Sequence, residues 1–74
     1  MTFVEGTIID IIYRNEDNAY TVLELDHEGE LLVCVGSIPL LSPGEYVRFY
    51  GAYTSHKSYG EQFKVASMES RLPE

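Results

Sequence analysis

The sequence contains no tryptophan, a single cysteine and only two histidines, so several devices that stabilise small proteins are missing. Cys34 has no second cysteine with which to form an internal disulfide. Together with His27 and His56 it also falls short of a structural zinc site, which takes four ligands at close spacing. We therefore expect no metal and no cofactor. The fold must depend on its apolar core, which 45% hydrophobic residues can supply.

Basic residues are scarce, with five Lys and Arg against twelve Asp and Glu and a net charge of −7. Binding to nucleic acid is driven largely by Lys and Arg that release counterions from phosphates, so this balance opposes it. A basic patch can still exist on an acidic domain, and the distribution of charge therefore matters more than its sum.

Long apolar runs are also missing. The longest uncharged stretch, 31–44, is too short to span a bilayer and is interrupted by Gly36, Pro39 and Pro43. The first residues lack the basic and apolar regions of a signal peptide. One unpaired cysteine suits a reducing compartment. We expect a cytoplasmic protein with no membrane partner.

No catalytic apparatus is recognisable. A phosphate-binding Gly-x-x-x-x-Gly-Lys-Ser/Thr loop is missing, and nothing near Cys34 resembles an activating base. Cys34 lies within an apolar run, which is typical of a small core residue. The acids at positions 24, 26, 28 and 30 surround a turn that offers no apolar pocket for acid–base catalysis. We predict that this chain is not an enzyme.

The pattern that is present consists of short β-branched and aromatic runs between turn signals, which predicts an all-β domain. Gly6 and two Ile-Ile doublets in the first run predict a bend near Ile9 and Asp10. We expect one domain over residues 1–70, with residues 71–74 beginning the exit linker of a longer chain. The predicted strands are Phe3–Arg14, Ala19–Asp26, Glu30–Gly36, Glu45–Ser55 and Gln62–Glu69.

Two five-stranded folds fit this pattern. One is the OB-fold, a Greek-key barrel, and the other is an SH3-like barrel of similar length. The long, bent first strand favours the OB-fold. The segment between Ile38 and Gly44 contains two prolines and has room for at most one helical turn.

Several segments together resemble the N-terminal domain of bacterial RecD-like DNA helicases, ATP-dependent enzymes related to the alpha chain of exodeoxyribonuclease V. They occur in the order of that family and cover most of the chain. The family often has glycine at the position of Ala19, and a proline between His56 and Lys57. The resembling segments are Gly6–Ile12 with Tyr13-Arg14-Asn15-Glu16, Asn18-Ala19-Tyr20-Thr21-Val22-Leu23, Val35-Gly36 before Pro39, Pro43-Gly44-Glu45, and His56-Lys57-Ser58-Tyr59-Gly60-Glu61-Gln62-Phe63-Lys64-Val65.

The resemblance implies a non-catalytic OB-like module at the front of a helicase that acts in DNA repair and recombination. Helix-hairpin-helix elements and two motor domains would follow it, and the remainder of that chain would be its first partner. The module would help to engage single-stranded DNA, weakly, or another protein. The alternative is a docking module for proteins that does not bind nucleic acid.

OB-folds bind ligands along strands two and three, between the 1–2 and 4–5 loops, here 15–18 and 55–61. Aromatic side chains for base stacking and cations for phosphates are the residue types that single strands require. Glu16, Asp17 and Glu61 oppose phosphate at the same loops. Tyr13 and Tyr20 could equally be barrel-rim residues, and Arg48, between Tyr46 and Tyr50, could make a cation–π contact or simply belong to an amphipathic strand face. The candidate nucleic-acid-binding residues are Tyr13, Arg14, Tyr20, His56, Lys57, Tyr59 and Lys64.

Overall fold

The computed structural model describes residues 2–58 and 60–71, and these residues form five strands and no helix. The all-β prediction is therefore confirmed. Tyr59, the remaining aromatic residue of the predicted site, lies outside the described residues, as do residues 72–74 of the predicted exit linker. The strands are β1 (Thr2–Arg14), β2 (Tyr20–His27), β3 (Glu30–Ser37), β4 (Tyr46–His56) and β5 (Gly60–Arg71).

The strands close into a barrel in the order β1-β2-β3-β5-β4. All neighbours are antiparallel except β3 and β5, which run parallel where Val33–Val35 pair with Gln62–Lys64. The chain must cross the barrel end between β3 and β4 to place β5 in this position. This Greek-key order is that of an OB-fold, so the first of the two predicted architectures is confirmed.

The predicted bend in β1 is present at the predicted place. The register with β2 shifts between Ile8 and Asp10, which leaves Ile9 as a bulge. A second shift, at Ile12, had no equally clear signal in the sequence. These bulges let one strand pair with β4 through its first half and with β2 through its second. They also turn Ile9 and Ile12 outward, where both are exposed.

Alternation along the strands fills the barrel. Leu23 and Leu25 on β2 and Phe63 and Val65 on β5 point inward, as the two-residue period predicts. Cys34 is fully buried among them, and this burial raises the pKa of its thiol from the ordinary 9.0 to about 12. Its predicted role as a small core residue is confirmed. The buried core side chains are Val4, Ile8, Leu23, Leu25, Cys34, Ile38, Val47, Phe49, Phe63 and Val65.

The segment between β3 and β4 contains a turn at Pro43 and Gly44 but no helical turn, and its buried Ile38 side chain belongs to the core. No helix in the described part of the chain is long and apolar enough to cross a membrane. Among residues 2–58 and 60–71, no three His, Cys, Asp or Glu side chains converge as metal ligands would.

Candidate nucleic-acid interface

A groove of about 360 Å³ lies on the outer face of β2 and β3, between the 1–2 loop and the β4–β5 hairpin. Three valines form much of its wall, and two tyrosines stand at its β1–β2 side. It is therefore an apolar depression with aromatic edges, as base stacking requires. The lining side chains are Ile12, Tyr13, Tyr20, Val22, Val33, Val35, His56 and Gln62.

The strand register arranges part of this surface as a row across four strands. Tyr13 on β1 lies opposite Val22 on β2, and Val22 lies opposite Val35 on β3. Val35 lies beside Lys64 on β5. Paired residues share a face of a sheet, and three strand spacings amount to roughly 14 Å. Tyr13 and Lys64 thus occupy opposite ends of a row whose middle is formed by Val22 and Val35.

Both groove tyrosines are accessible, since Tyr13 is 51% exposed and Tyr20 is 41% exposed. His56 approaches the groove from the end of β4, and its Nδ1 accepts a hydrogen bond of 3.0 Å from the backbone N–H of Ser58. The structure therefore brings three of the predicted residues to a single depression, although they are up to 43 positions apart in the chain.

The predicted cations divide into two kinds. Lys64 is exposed at the end of the transverse row, and Lys57 is exposed on the turn between β4 and β5. Arg14, in contrast, is only 15% exposed in its side chain. Its Nη1 donates to the Thr21 hydroxyl at 2.9 Å and to the Ile38 carbonyl at 2.7 Å. These contacts join the end of β1 to β2 and to the segment after β3, and Arg14 does not line the groove.

The sequence prediction omitted the apolar floor of the groove. Val22 could have been included, because it shares the outward face of β2 with Tyr20. Val33 and Val35 share this face through their antiparallel pairing with β2, whereas Gln62 had no local signal because it reaches the groove only through the parallel contact between β3 and β5.

A row of acidic residues borders the groove on the side of the β2–β3 hairpin. Asp10 on β1 lies opposite Glu24 on β2, one outward position beyond the row of Tyr13 and Val22. Like charges directly opposite in a sheet are destabilising, so this pair opposes folding as well as phosphate binding. This pair makes the hairpin side of the groove unfavourable for a polyanion.

Comparison with known proteins bears directly on this geometry. Residues 1–73 match the sequence family described as ATP-dependent DNA helicase YrrC, OB-fold domain. The chain belongs to this family. No solved structure gives a significant match. The match identifies a non-catalytic accessory domain of a helicase, and the closer relation to exodeoxyribonuclease V stays a prediction.

The helicase OB-fold domain has a second, larger groove of about 740 Å³ at the other end of β2. Phe3 and Tyr46 contribute aromatic side chains to it, and Glu5, Asp26 and Glu28 contribute carboxylates. The hairpin tip is attached to β1 beside it, because the Nδ1 atom of His27 lies 3.0 Å from the Glu5 carbonyl oxygen.

Arg48 lies next to this second groove, where it makes both a cation–π contact and a pairing across the strands of the sheet. Its guanidinium lies 4.5 Å from the centroid of the Phe3 ring and forms a 3.2 Å ion pair with Glu5 across the strands. It also donates to the Tyr50 hydroxyl at 3.3 Å. The hydrogen bond with Tyr50, followed by that with Glu5, raises the pKa of Arg48 further above its ordinary value. The ring in the cation–π contact of Arg48 is therefore that of Phe3, not that of Tyr46 or Tyr50.

Proposed function

We propose that this chain is an accessory module that holds single-stranded DNA weakly, beside the motor of an ATP-dependent DNA helicase acting in repair or recombination. The observation that supports the proposal most is the row from Tyr13 through two valines to Lys64. It places a stacking surface, an apolar floor and a cation across the face that OB-folds use for ligands. The cytoplasm, where the chromosome of a bacterium lies, is the compartment that this role requires.

A single strand fits this surface better than a duplex. Its bases are accessible for stacking on Tyr13 and Tyr20, whereas those of a duplex are already stacked on each other. The second strand of a duplex would also bring its phosphates towards Asp10 and Glu24. The acidic border therefore favours a ligand that is narrow and flexible.

The expected affinity is modest. Stacking on each tyrosine contributes about 1–3 kcal/mol, and two lysines release few counterions, at about 0.7 per phosphate contact on single strands. The net charge of −7 slows the approach of a polyanion. We expect a dissociation constant of about 1 μM or weaker at physiological salt. Such an affinity suits a module that guides a strand held more tightly elsewhere in the same polypeptide.

The alternative function is a protein-docking module without nucleic-acid binding. The distribution of charge favours it in one respect, because the segment 24–30 carries four acids and no Lys or Arg. Glu24 borders the groove, but Asp26, Glu28 and Glu30 are outside its lining, so most of this charge lies on a different surface and is compatible with DNA in the groove.

The test is a titration of a fluorescently labelled thymidine oligonucleotide with the 74-residue chain at several salt concentrations. Lys64→Glu should weaken binding about tenfold or more and flatten the salt dependence, since Lys64 ends the row. Lys57→Glu is the matched control on the turn and should have the smaller effect. If the chain does not bind the oligonucleotide even at low salt, the DNA-binding proposal is wrong and protein docking is the favoured function. Nanomolar binding with a steep salt dependence would contradict the charge distribution described above.

A further inference from the structure

The larger groove is an aromatic and acidic surface that the DNA-binding proposal does not use. Phe3, 47% exposed, and Tyr46, 36% exposed, leave apolar area open to solvent on the outer face of β1 and β4. The carboxylates of Glu5, Asp26 and Glu28 stand around them. No Lys or Arg belongs to the described lining of this groove. The three carboxylates outnumber the one neighbouring guanidinium, that of Arg48, so this exposed aromatic surface is net negative and suited to a cationic ligand.

Arg48 shows how this face holds a cation. Its guanidinium combines the Phe3 ring at 4.5 Å with the Glu5 carboxylate at 3.2 Å. Across the groove, Tyr46 and Asp26 lie in one row on either side of Thr7, two strand spacings or roughly 10 Å apart, and Glu28 follows on the hairpin. The groove therefore offers a second ring and a second set of carboxylates within reach of one extended peptide segment.

The hairpin carboxylates have internal contacts but retain capacity for a ligand. Asp26 accepts a 3.1 Å hydrogen bond from the backbone N–H of Gly29, and Glu28 lies 3.3 Å from the Nε2 atom of His27. A carboxylate offers about four acceptor sites, so one contact leaves most of them for an incoming guanidinium or ammonium. The side chain of Glu28 is 85% exposed and can reorient towards a ligand.

We infer that this groove docks an arginine- or lysine-bearing segment of a protein partner. Charge complementarity selects this occupant, because the same carboxylates repel nucleic acid and acidic proteins. Arginine fits best, since its planar guanidinium stacks on an aromatic ring while it pairs with a carboxylate. The nearest β2 residues of the two linings, Val22 and Asp26, are about 13 Å apart at 3.3 Å per residue. A partner can therefore occupy the hairpin end while the other groove stays open, and this inference does not depend on DNA binding.

The experiment is an NMR titration of the isotope-labelled 74-residue chain with a short capped peptide containing two arginines. The same peptide with citrulline in place of arginine keeps the shape and removes the charge. We expect the arginine peptide to shift the amide resonances of Gly6, Thr7 and the 26–29 hairpin, and the citrulline peptide to bind at least about fivefold more weakly.

Variants of the carboxylates identify the site. Asp26→Asn with Glu28→Gln keeps the size of both side chains and should weaken the arginine peptide about fivefold or more. Glu61→Gln, an exposed acid on β5 outside the lining of this groove, is the matched control and should change affinity less than twofold. The double variant should leave the amide spectrum outside the hairpin unchanged. Weaker binding is then due to the missing carboxylates and not to unfolding of the chain.

Three results would overturn the inference. The first is equal binding of the arginine and citrulline peptides, and the second is equal weakening by Glu61→Gln and by the hairpin variant. The third is no shift in the hairpin at low salt. Equal weakening would mean that the peptide responds only to the net charge. Oligonucleotide binding is measured separately, so its presence or absence does not affect this outcome.

Discussion

The two grooves are built from the same strands, β1 and β2, yet they differ in charge and in what they can bind. The groove at the start of β2 has a valine floor, two tyrosines and Lys64 at its edge. The groove at the end of β2 has two aromatic side chains among three carboxylates. A net charge of −7 describes neither surface, because both lysines of the chain belong to the β4–β5 segment while four acids crowd the β2–β3 hairpin.

The comparison shows how a small barrel separates two functions. A strand of eight residues, β2, is long enough to place its ends in different electrostatic surroundings. Asp10 and Glu24 mark the boundary between them. The following predictions test this division, beginning with the largest expected effect.

The rigidity of the first groove can be tested through Cys34, which points inward between two valines of its wall, Val33 and Val35. Its thiol pKa of about 12 lowers the thiolate fraction about a thousandfold near pH 8 relative to an ordinary thiol. We expect the native chain to react with a disulfide reagent at least that much more slowly than the denatured chain. Rapid reaction would show that the floor opens and that the groove has no fixed shape.

The same thiol gives a dependence of stability on pH. Because the folded pKa lies above the unfolded value, the folded state holds its proton more tightly, and this contribution is complete below about pH 9 and lost as pH rises towards 12. Denaturant unfolding at a series of alkaline pH values measures it. Cys34→Ala is the control, and it should remove this part of the decline in stability.

Both regions depend on a close approach of two strands at a glycine. A Cβ atom at Gly51 would lie 1.9 Å from the Lys64 carbonyl oxygen, and one at Gly6 would lie 1.9 Å from that of Asp26. We expect Gly51→Ala and Gly6→Ala each to lower the free energy of unfolding by about 3 kcal/mol in urea denaturation. If the free energy of unfolding fell by less than about 1 kcal/mol at either position, the two strands there could move apart to accommodate a Cβ atom with little loss of stability.

An exchange of tyrosines should distinguish the two grooves. Tyr20→Ala should weaken oligonucleotide binding by about 1–3 kcal/mol, roughly 5- to 150-fold, because it removes a stacking surface. Tyr46→Ala should leave oligonucleotide binding unchanged and weaken the arginine peptide. Parallel fluorescence titrations of both variants with both ligands measure this. If either substitution affected both ligands equally, the two grooves would not be independent.

Ala19, in the 1–2 loop beside the first groove, has a φ of 62°, in the left-handed region. An alanine in this conformation costs about 1–2 kcal/mol relative to glycine, the residue that the resembled helicases often have at this position. We expect Ala19→Gly to raise the free energy of unfolding by about 1 kcal/mol. Ala52→Gly, at an exposed strand position without positive φ, is the control and should lower it. Equal changes in the free energy of unfolding for Ala19→Gly and Ala52→Gly would show that the positive φ of Ala19 costs no stability.

The acidic boundary should give the smallest effect. Glu24→Gln removes the repulsion with Asp10 and should stabilise the fold by about 0.5 kcal/mol, while oligonucleotide affinity rises about twofold. Glu30→Gln is the comparison, since Glu30 lies opposite His27 rather than an acid. A decrease in oligonucleotide affinity for Glu24→Gln would mean that the oligonucleotide binds elsewhere on the barrel.

Much of the fold was predictable because it depends on local patterns. The alternation of Thr21, Leu23 and Leu25 fixes the inward face of β2, and Gly29 with its positive φ of 84° closes the predicted hairpin. The Ile-Ile doublets indicated the bulge at Ile9 because they interrupt the two-residue period. The groove was less predictable. Arg14 has the charge and loop position of a phosphate ligand, yet its contacts with Thr21 and Ile38 direct it into the barrel end.

The sequence by itself determined the strands, their inward faces, the absence of a phosphate loop and the types of residue available for binding. The tertiary structure alone decided which of them meet. Lys64 and Gln62 reach the valines of β3 through a parallel contact between residues 29 positions apart, and no turn or period near either strand encodes it. Phe3 and Tyr46 likewise face the same groove only because β1 pairs with β4. Local sequence sets the direction of a side chain, whereas the closure of the barrel sets its neighbours.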